Sequence, residues 1–161
     1  MEENQIYYKE RRLMKLTIEL VPRTSFYVNI RSILSRREWE LIRKDTLTKA
    51  NNLCEICGGV SATRALDCHE VWEYDDLNHI QKLIKFMALC DRCHEVKHIG
   101  KAQIDGNFDR AEKWFRNINK LDYHTSHNLI IRAFDMWAIR SKHPWQLDIT
   151  ILKIGEHNGI K

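Results

Sequence analysis

The sequence contains two pairs of cysteines with metal-ligand spacing, and the second pair runs directly into two histidines. Two residues separate the cysteines of each pair, which suits a tight turn whose thiolates converge on one ion. The histidines stand four residues apart, so on a helix their imidazoles lie on the same face. The pattern predicts one closed tetrahedral site and leaves open whether the histidines bind a second ion or none. The residues are Cys54, Cys57, Cys90 and Cys93, followed by His94 and His98.

The four-cysteine site is expected to bind Zn²⁺ and to have a structural role, because a closed tetrathiolate leaves no position for water. The ion would hold together the two ends of the chain over residues 61–89. This clamp replaces hydrophobic core that a small domain lacks. The fifth cysteine, Cys68, is expected to be a small buried strand residue.

A third motif, Leu66-Asp-Cys-His-Glu-Val71, lies between the two cysteine pairs. Together with the cysteines and His94 and His98, it resembles the HNH endonucleases over residues 53–101. Residues 25–43, 72–76 and 79–83 also resemble small bacterial and phage members of that family. The resemblance implies an α+β fold with a zinc-stabilised, treble-clef-like ββα-metal core. It also implies metal-dependent hydrolysis of phosphodiester bonds, in DNA rather than RNA.

The resemblance gives each residue of the motif a role. His69 would be the first ligand of a catalytic divalent ion, and His94 and His98 would complete its shell. Glu70 stands where the family has its general base. Adjacent strand residues point to opposite faces, so Asp67, which shares a face with His69, is the alternative base or an additional ligand. The catalytic ion could be Mg²⁺, Mn²⁺, Zn²⁺ or Ni²⁺. The candidate contacts to nucleic-acid phosphates are Arg64, Lys85, Arg92, Lys97 and Lys101.

The sequence departs from the family pattern at two positions. Glu70 replaces a histidine, and a carboxylate with a pKa of about 4.3 accepts a proton less readily than an imidazole near 6.5. Slower hydrolysis or a raised pKa of Glu70 is therefore expected. The family's middle asparagine falls at Lys85. The alternative function is a catalytically inactive zinc module that binds nucleic acid or docks a protein partner through tryptophan-rich helices.

Several elements must position these residues. Apolar alternation predicts strands over residues 15–21 and 26–30, which would pair as a hairpin. Ser35 and Glu38 have the spacing of a capping box, which predicts a helix that ends near Asn51. Residues 63–75 are expected to form one or two strands. The periodicity of residues 76–87 is ambiguous, although their propensity is helical.

The rest of the chain is predicted to be mainly helical. One helix should follow Cys90, with Gly100 as its stop, and amphipathic patterns predict further helices over residues 108–120 and from Ser126. Pro144 should end the last helix before a final strand over residues 145–151.

Length and composition fit one domain with three parts, at residues 13–51, 52–101 and 107–154. The chain has 161 residues and a net charge of +4, which permits a nucleic-acid partner without requiring one. Long apolar runs are absent and the start of the chain is charged, so we expect no membrane span and no signal peptide. A cytoplasmic location follows, in which cysteines bind zinc rather than form disulfides. A homodimer is left open.

Overall fold

The computed structural model of the protein describes residues 8–9, 11–26, 30–62 and 64–152. It has an α+β fold, with several helices around a three-stranded sheet in the order β1-β2-β3. The helices are α1 (Ile30–Ile33), α2 (Arg36–Lys49), α3 (Asp91–Lys97), α4 (Ile99–Ile104), α5 (Phe108–Asn119) and α6 (Tyr123–Arg140). The strands are β1 (Asp67–Asp75), β2 (Ile80–Leu89) and β3 (Gln146–Asp148), and Thr150–Leu152 form a 3₁₀ turn.

Strands β1 and β2 form an antiparallel hairpin that leads directly into α3. Their pairing runs from Asp67 opposite Leu89 to Asp75 opposite Ile80. At the turn, the Asp75 carboxylate accepts hydrogen bonds from two backbone N–H groups, each at 3.0 Å. These bonds stabilise the turn that joins the two strands, and the residues whose periodicity was ambiguous form the turn and most of β2. The chain after α6 adds β3 parallel to β2.

Helix α2 begins as the sequence predicts. The Ser35 side chain accepts a hydrogen bond from the backbone N–H of Glu38, and the Glu38 carboxylate accepts one from the backbone N–H of Ser35. After the helix, Asn51 and Asn52 have positive φ values of 53° and 54°. Asparagine tolerates this conformation better than most residues, so the pair turns the chain toward the first cysteine.

The predicted N-terminal hairpin is wrong for the residues that the structure describes. Residues 17–22 belong to no strand, and residues 27–29 of the second predicted strand lie outside the described residues. The apolar alternation is nevertheless real, since Leu16 and Ile18 are 0% and 5% exposed. These side chains join a core cluster that includes Val96 of α3 and Phe115 of α5. Burial against helices produces the same alternation as burial in a sheet.

Gly100 does not stop the helix that follows Cys90. Helix α3 ends at Lys97, His98 leaves helical geometry with φ −106° and ψ 44°, and α4 then includes Gly100. A Cβ atom on Gly100 would lie 3.4 Å from a methyl carbon of Leu20. The N-terminal segment therefore packs against α4 at Gly100 with room for one ordinary van der Waals contact.

The two later helices are confirmed, with one shifted boundary. Helix α6 begins at Tyr123, earlier than predicted, because the Asp122 carboxylate caps it by accepting a hydrogen bond from the N–H of Thr125 at 2.9 Å. The last strand is shorter than predicted, at three residues. No helix in the described ranges has the length and apolar character needed to cross a membrane.

Candidate metal centres

The four cysteines of the two pairs converge in space. Their sulfur atoms all lie within 4.8 Å of one another, and the Sγ atoms of Cys57 and Cys90 are 3.7 Å apart. Cys54, Cys90 and Cys93 are only 2%, 3% and 0% exposed. Four sulfur donors in a closed, buried group are the donor set of a structural zinc site, so the residues fit this ion.

Local backbone hydrogen bonds shape the first cysteine turn. The N–H of Cys54 donates to the carbonyl of Gly59, and the N–H of Gly58 donates to the carbonyl of Cys54, both at 2.8 Å. Gly58 has a φ of 75°, which favours glycine, and the N–H of Gly59 points at Cys57 Sγ from 3.4 Å. These bonds hold the turn in the conformation that brings Cys54 and Cys57 to the site.

Glu55 attaches this turn to β2, next to the second cysteine pair. Its backbone N–H donates to the carbonyl of Ala88 at 3.0 Å, and its carboxylate accepts from the Ala88 N–H at 2.6 Å. The second pair begins at the junction of β2 and α3, where Cys90 is the N-cap. The two cysteine pairs are thus held together by hydrogen bonds between Glu55 and Ala88 as well as by contacts between their sulfur atoms.

The thiols influence one another strongly. A hydrogen bond from Cys93 is the largest cause that lowers the pKa of Cys54, to about 4. Burial raises the pKa of Cys90 to about 11, and the bond to Cys54 and burial raise that of Cys93. Binding a cation to the thiols of Cys90 and Cys93 must therefore release protons. Outside the group, Trp114 Nε1–H donates to Cys93 Sγ at 3.3 Å.

The hairpin and the following helix bring three imidazoles together. His69 lies on β1, His94 on α3, and His98 at the break between α3 and α4. One nitrogen of each ring lies within 4.8 Å of the others, and the ring centroids are 4.7–5.3 Å apart. Burial lowers the pKa of His69 and, together with the neighbouring imidazoles, lowers that of His98 to about 3. Neutral imidazoles are the form that binds metal ions.

Two carboxylates contact these imidazoles from outside the group. Asp67 Oδ2 lies 2.9 Å from His94 Nδ1 and also accepts a hydrogen bond from Arg64 at 2.7 Å. Glu19 Oε2 lies 3.0 Å from His69 Nε2. Asp67 shares a strand face with His69, as predicted, but its partner is the second histidine. In metal sites, carboxylates in this position orient the histidine ligands.

Glu19 and its partner Lys97 were not predicted as a buried pair. Lys97 is only 3% exposed, and its Nζ atom donates to Glu19 at 2.7 Å and to Thr17 at 2.7 Å. The prediction that Lys97 contacts phosphate is therefore wrong, because its charge is enclosed and already paired. The alternation of residues 15–21 had given Glu19 the solvent face of a strand, and no motif marked it.

Glu70 lies apart from the three-imidazole group. The neighbouring Cys68 is buried and forms a hydrogen bond with the Thr46 side chain of α2. Successive side chains in this stretch of β1 therefore point alternately toward α2 and toward the histidines. Burial raises the pKa of Glu70, and the Arg31 charge and the backbone N–H of Ile30 partly offset the effect. The raised pKa is one of the two consequences expected from glutamate at this position.

A cavity of about 600 Å³ adjoins the imidazoles. Three of the predicted phosphate contacts line it, together with Arg110, which the sequence did not single out. Arg110 is held by both oxygens of Glu95. The basic lining residues are Arg64, Arg92, Lys101 and Arg110. Lys85 does not line this cavity: its Nζ atom lies 3.7 Å from a Glu55 carboxylate oxygen, and it lines a different cavity beside α2, so its contact with phosphate stays a prediction.

Comparison of the chain with protein-family models, with curated proteins and with solved structures gave no match in any of the three cases.

Proposed function

We propose that the protein is a metal-dependent nuclease of the HNH type that hydrolyses phosphodiester bonds, with DNA as its preferred substrate. The observation that carries the proposal is the convergence of three imidazoles from a β-hairpin and the helix that follows it. A buried four-cysteine group at the start of the same helix supports it. The resemblance of the motifs to HNH endonucleases supports the reaction class.

A divalent ion held by His69, His94 and His98 would offset the charge that develops on the phosphate and the leaving oxygen. Three neutral nitrogen donors with open positions suit Zn²⁺, Mn²⁺ or Ni²⁺, and substrate oxygens would help Mg²⁺ to bind. The four basic residues of the neighbouring cavity would bind the phosphate backbone, which carries no sequence information, and three of them would do so in exchange for the carboxylates that they contact now. Arg64 would contact both the phosphate backbone and the ion site, since it also donates a hydrogen bond to Asp67, which contacts His94.

Glu70 is the proposed general base. Burial moves the pKa of Glu70 upward, toward the pH at which the enzyme would work, which makes its carboxylate a better proton acceptor. Arg31 and the Ile30 N–H hold the carboxylate beside α1. Asp67 is less suited to this role, because Arg64 and His94 already occupy its oxygen.

The test is nicking of supercoiled plasmid by purified protein with Mg²⁺, Mn²⁺ or Ni²⁺. We expect His69→Ala and His94→Ala to lose activity by at least about 100-fold, and Glu70→Ala by about 100-fold or more, as for loss of a general base. His143→Ala is the matched control, because His143 stacks on His79 at the turn end of the hairpin, with ring centroids 4.3 Å apart. Undiminished nicking by all three site variants would show that the site is wrong.

One observation favours the alternative of an inactive zinc module that binds nucleic acid or a protein partner. Glu70, at the family's base position, lies outside the imidazole group. A wild-type protein that binds DNA but cleaves no nucleic acid with any of these ions would favour the module.

A further inference from the structure

We propose that Glu19, far from the HNH-like motif in sequence, is a positioning residue for the imidazole site and holds His69 so that its Nδ1 atom is available to the ion. The inference rests on the ion site of the proposed function. It does not depend on cleavage of nucleic acid.

Both oxygens of the Glu19 carboxylate have partners in the protein interior. Oε2 lies 3.0 Å from His69 Nε2, while Oε1 lies 2.7 Å from Lys97 Nζ and 3.6 Å from Arg11. Glu19 is 9% exposed and His69 is 5% exposed. Glu19 is not one of the three residues whose donor atoms all lie within 4.8 Å of one another, so it contacts the imidazole group from outside.

The chemistry of the carboxylate decides which nitrogen of His69 is protonated. An ionised carboxylate only accepts hydrogen bonds, so His69 Nε2 must carry the hydrogen. A neutral imidazole has one remaining lone pair, which is then on Nδ1. The bond also fixes the orientation of the ring and makes the ligand more basic. Lys97, with Arg11 farther away, compensates the buried negative charge of Glu19.

The backbone around Glu19 is fixed on both sides. The N–H of Glu19 donates to the carbonyl of Lys97 at 3.0 Å. Three residues earlier, Leu16 exchanges hydrogen bonds with the Asn119 side chain of α5 at 3.0 and 2.8 Å. The N-terminal segment therefore presents the carboxylate to His69 without further ordering.

Nickel affinity of the full chain, with its zinc site loaded, tests the inference. We expect Glu19→Gln to bind nickel about 10- to 100-fold more weakly than the wild type, as for loss of a carboxylate behind a histidine ligand. Glu19→Asp should be intermediate, because it keeps the charge with a shorter reach. Glu112→Gln is the matched control, since Glu112 is also buried, at 5% exposure, but lies between α5 and α6. The charge-balanced Glu19→Gln/Lys97→Met variant should bind nickel as weakly as Glu19→Gln.

The tautomer of His69 gives a readout in the wild type, without any variant. Long-range ¹H–¹⁵N spectra of protein free of nickel should show His69 protonated on Nε2, and nickel should then shift Nδ1. A proton on Nδ1 would overturn the inference, as would equal nickel affinity in Glu19→Gln and wild type. Failure of the wild type to bind nickel at all would instead overturn the ion site of the proposed function, and this inference with it.

Discussion

The substitution Trp114→Phe should weaken zinc binding by the four cysteines while leaving the fold intact. Trp114 Nε1–H donates to Cys93 Sγ at 3.3 Å, and Cys93 has no exposed surface. Phenylalanine keeps an aromatic ring in the same position but removes this donor. When zinc is bound, Cys93 is a thiolate, so the lost bond is one to a charged acceptor.

Hydrogen bonds to charged groups contribute about 1.5–3 kcal/mol. If this free energy is lost only when zinc is bound, zinc affinity should decrease roughly 10- to 100-fold. Removal of other hydrogen-bond partners of metal ligands has a similar effect. The estimate applies to the zinc-bound protein, because a neutral thiol accepts hydrogen bonds only weakly.

Zinc affinity is measured by competition with a chromophoric chelator, and thermal unfolding of the zinc-loaded protein is measured in parallel. The matched control is Trp137→Phe. Trp137 is also half-buried, and its Nε1–H donates to the carbonyl of Val21 at 2.9 Å. Each ring also has an arginine above it, Arg92 at 5.0 Å and Arg23 at 4.5 Å.

The control therefore loses the same atoms and one hydrogen bond, but no contact with the metal site. We expect it to lower thermal stability without changing zinc affinity. Equal zinc affinity in Trp114→Phe and wild type would refute the reasoning, as would equal weakening in both variants.

Three further predictions concern stability. Cys57→Ser should abolish tight zinc binding and unfold the core, since the binding energy of structural zinc is about 10–16 kcal/mol. Cys68→Ser should retain zinc, and metal analysis with circular dichroism checks both variants. Gly100→Ala should stabilise the protein by about 0.5–1 kcal/mol and so raise its melting temperature, because alanine favours helix and the added Cβ would be in ordinary contact at 3.4 Å. A melting temperature below that of the wild type would contradict the helical role of Gly100. Burial raises the pKa of Asp76, but hydrogen bonds from Arg140 and Tyr8 outweigh it and lower the pKa overall. The stability that ionised Asp76 contributes through these partners is therefore present above the unfolded pKa of about 3.9 and is lost as the pH falls through the lower folded pKa. In urea unfolding, the difference in stability between wild type and Asp76→Asn should be largest near neutral pH and should shrink in acid.

The parts of the sites that the sequence could predict depend on local spacing. Two thiolates three positions apart converge through one turn, and Ser35 with Glu38 caps a helix, whatever the rest of the chain does. His94 and His98 follow the same local rule, because the backbone N–H of His98, at the C-cap of α3, still donates to the carbonyl of His94 at 3.2 Å. Local rules also predicted the two long helices near the C-terminus.

The parts that could not be predicted depend on contacts between distant residues. Alternating apolar residues around Glu19 have the same pattern whether they are buried by a strand or by helices. The partner of Glu19, His69, is 50 positions away and is reached only because α3 and α5 anchor the segment. Lys97 illustrates the same limit, since a lysine on a helix next to a metal motif is usually solvated, and only its pairing with Glu19 makes burial tolerable.

The central claim is that one chain holds two different metal sites, a closed thiolate site and an open imidazole site. Native mass spectrometry of the full chain, before and after mild chelation and then with added nickel, tests this claim most directly. We predict one zinc that resists chelation and a second, exchangeable ion that is lost in His94→Ala and His98→Ala but kept in His143→Ala. A single tightly held zinc in the wild type, with no second ion taken up, would contradict the account.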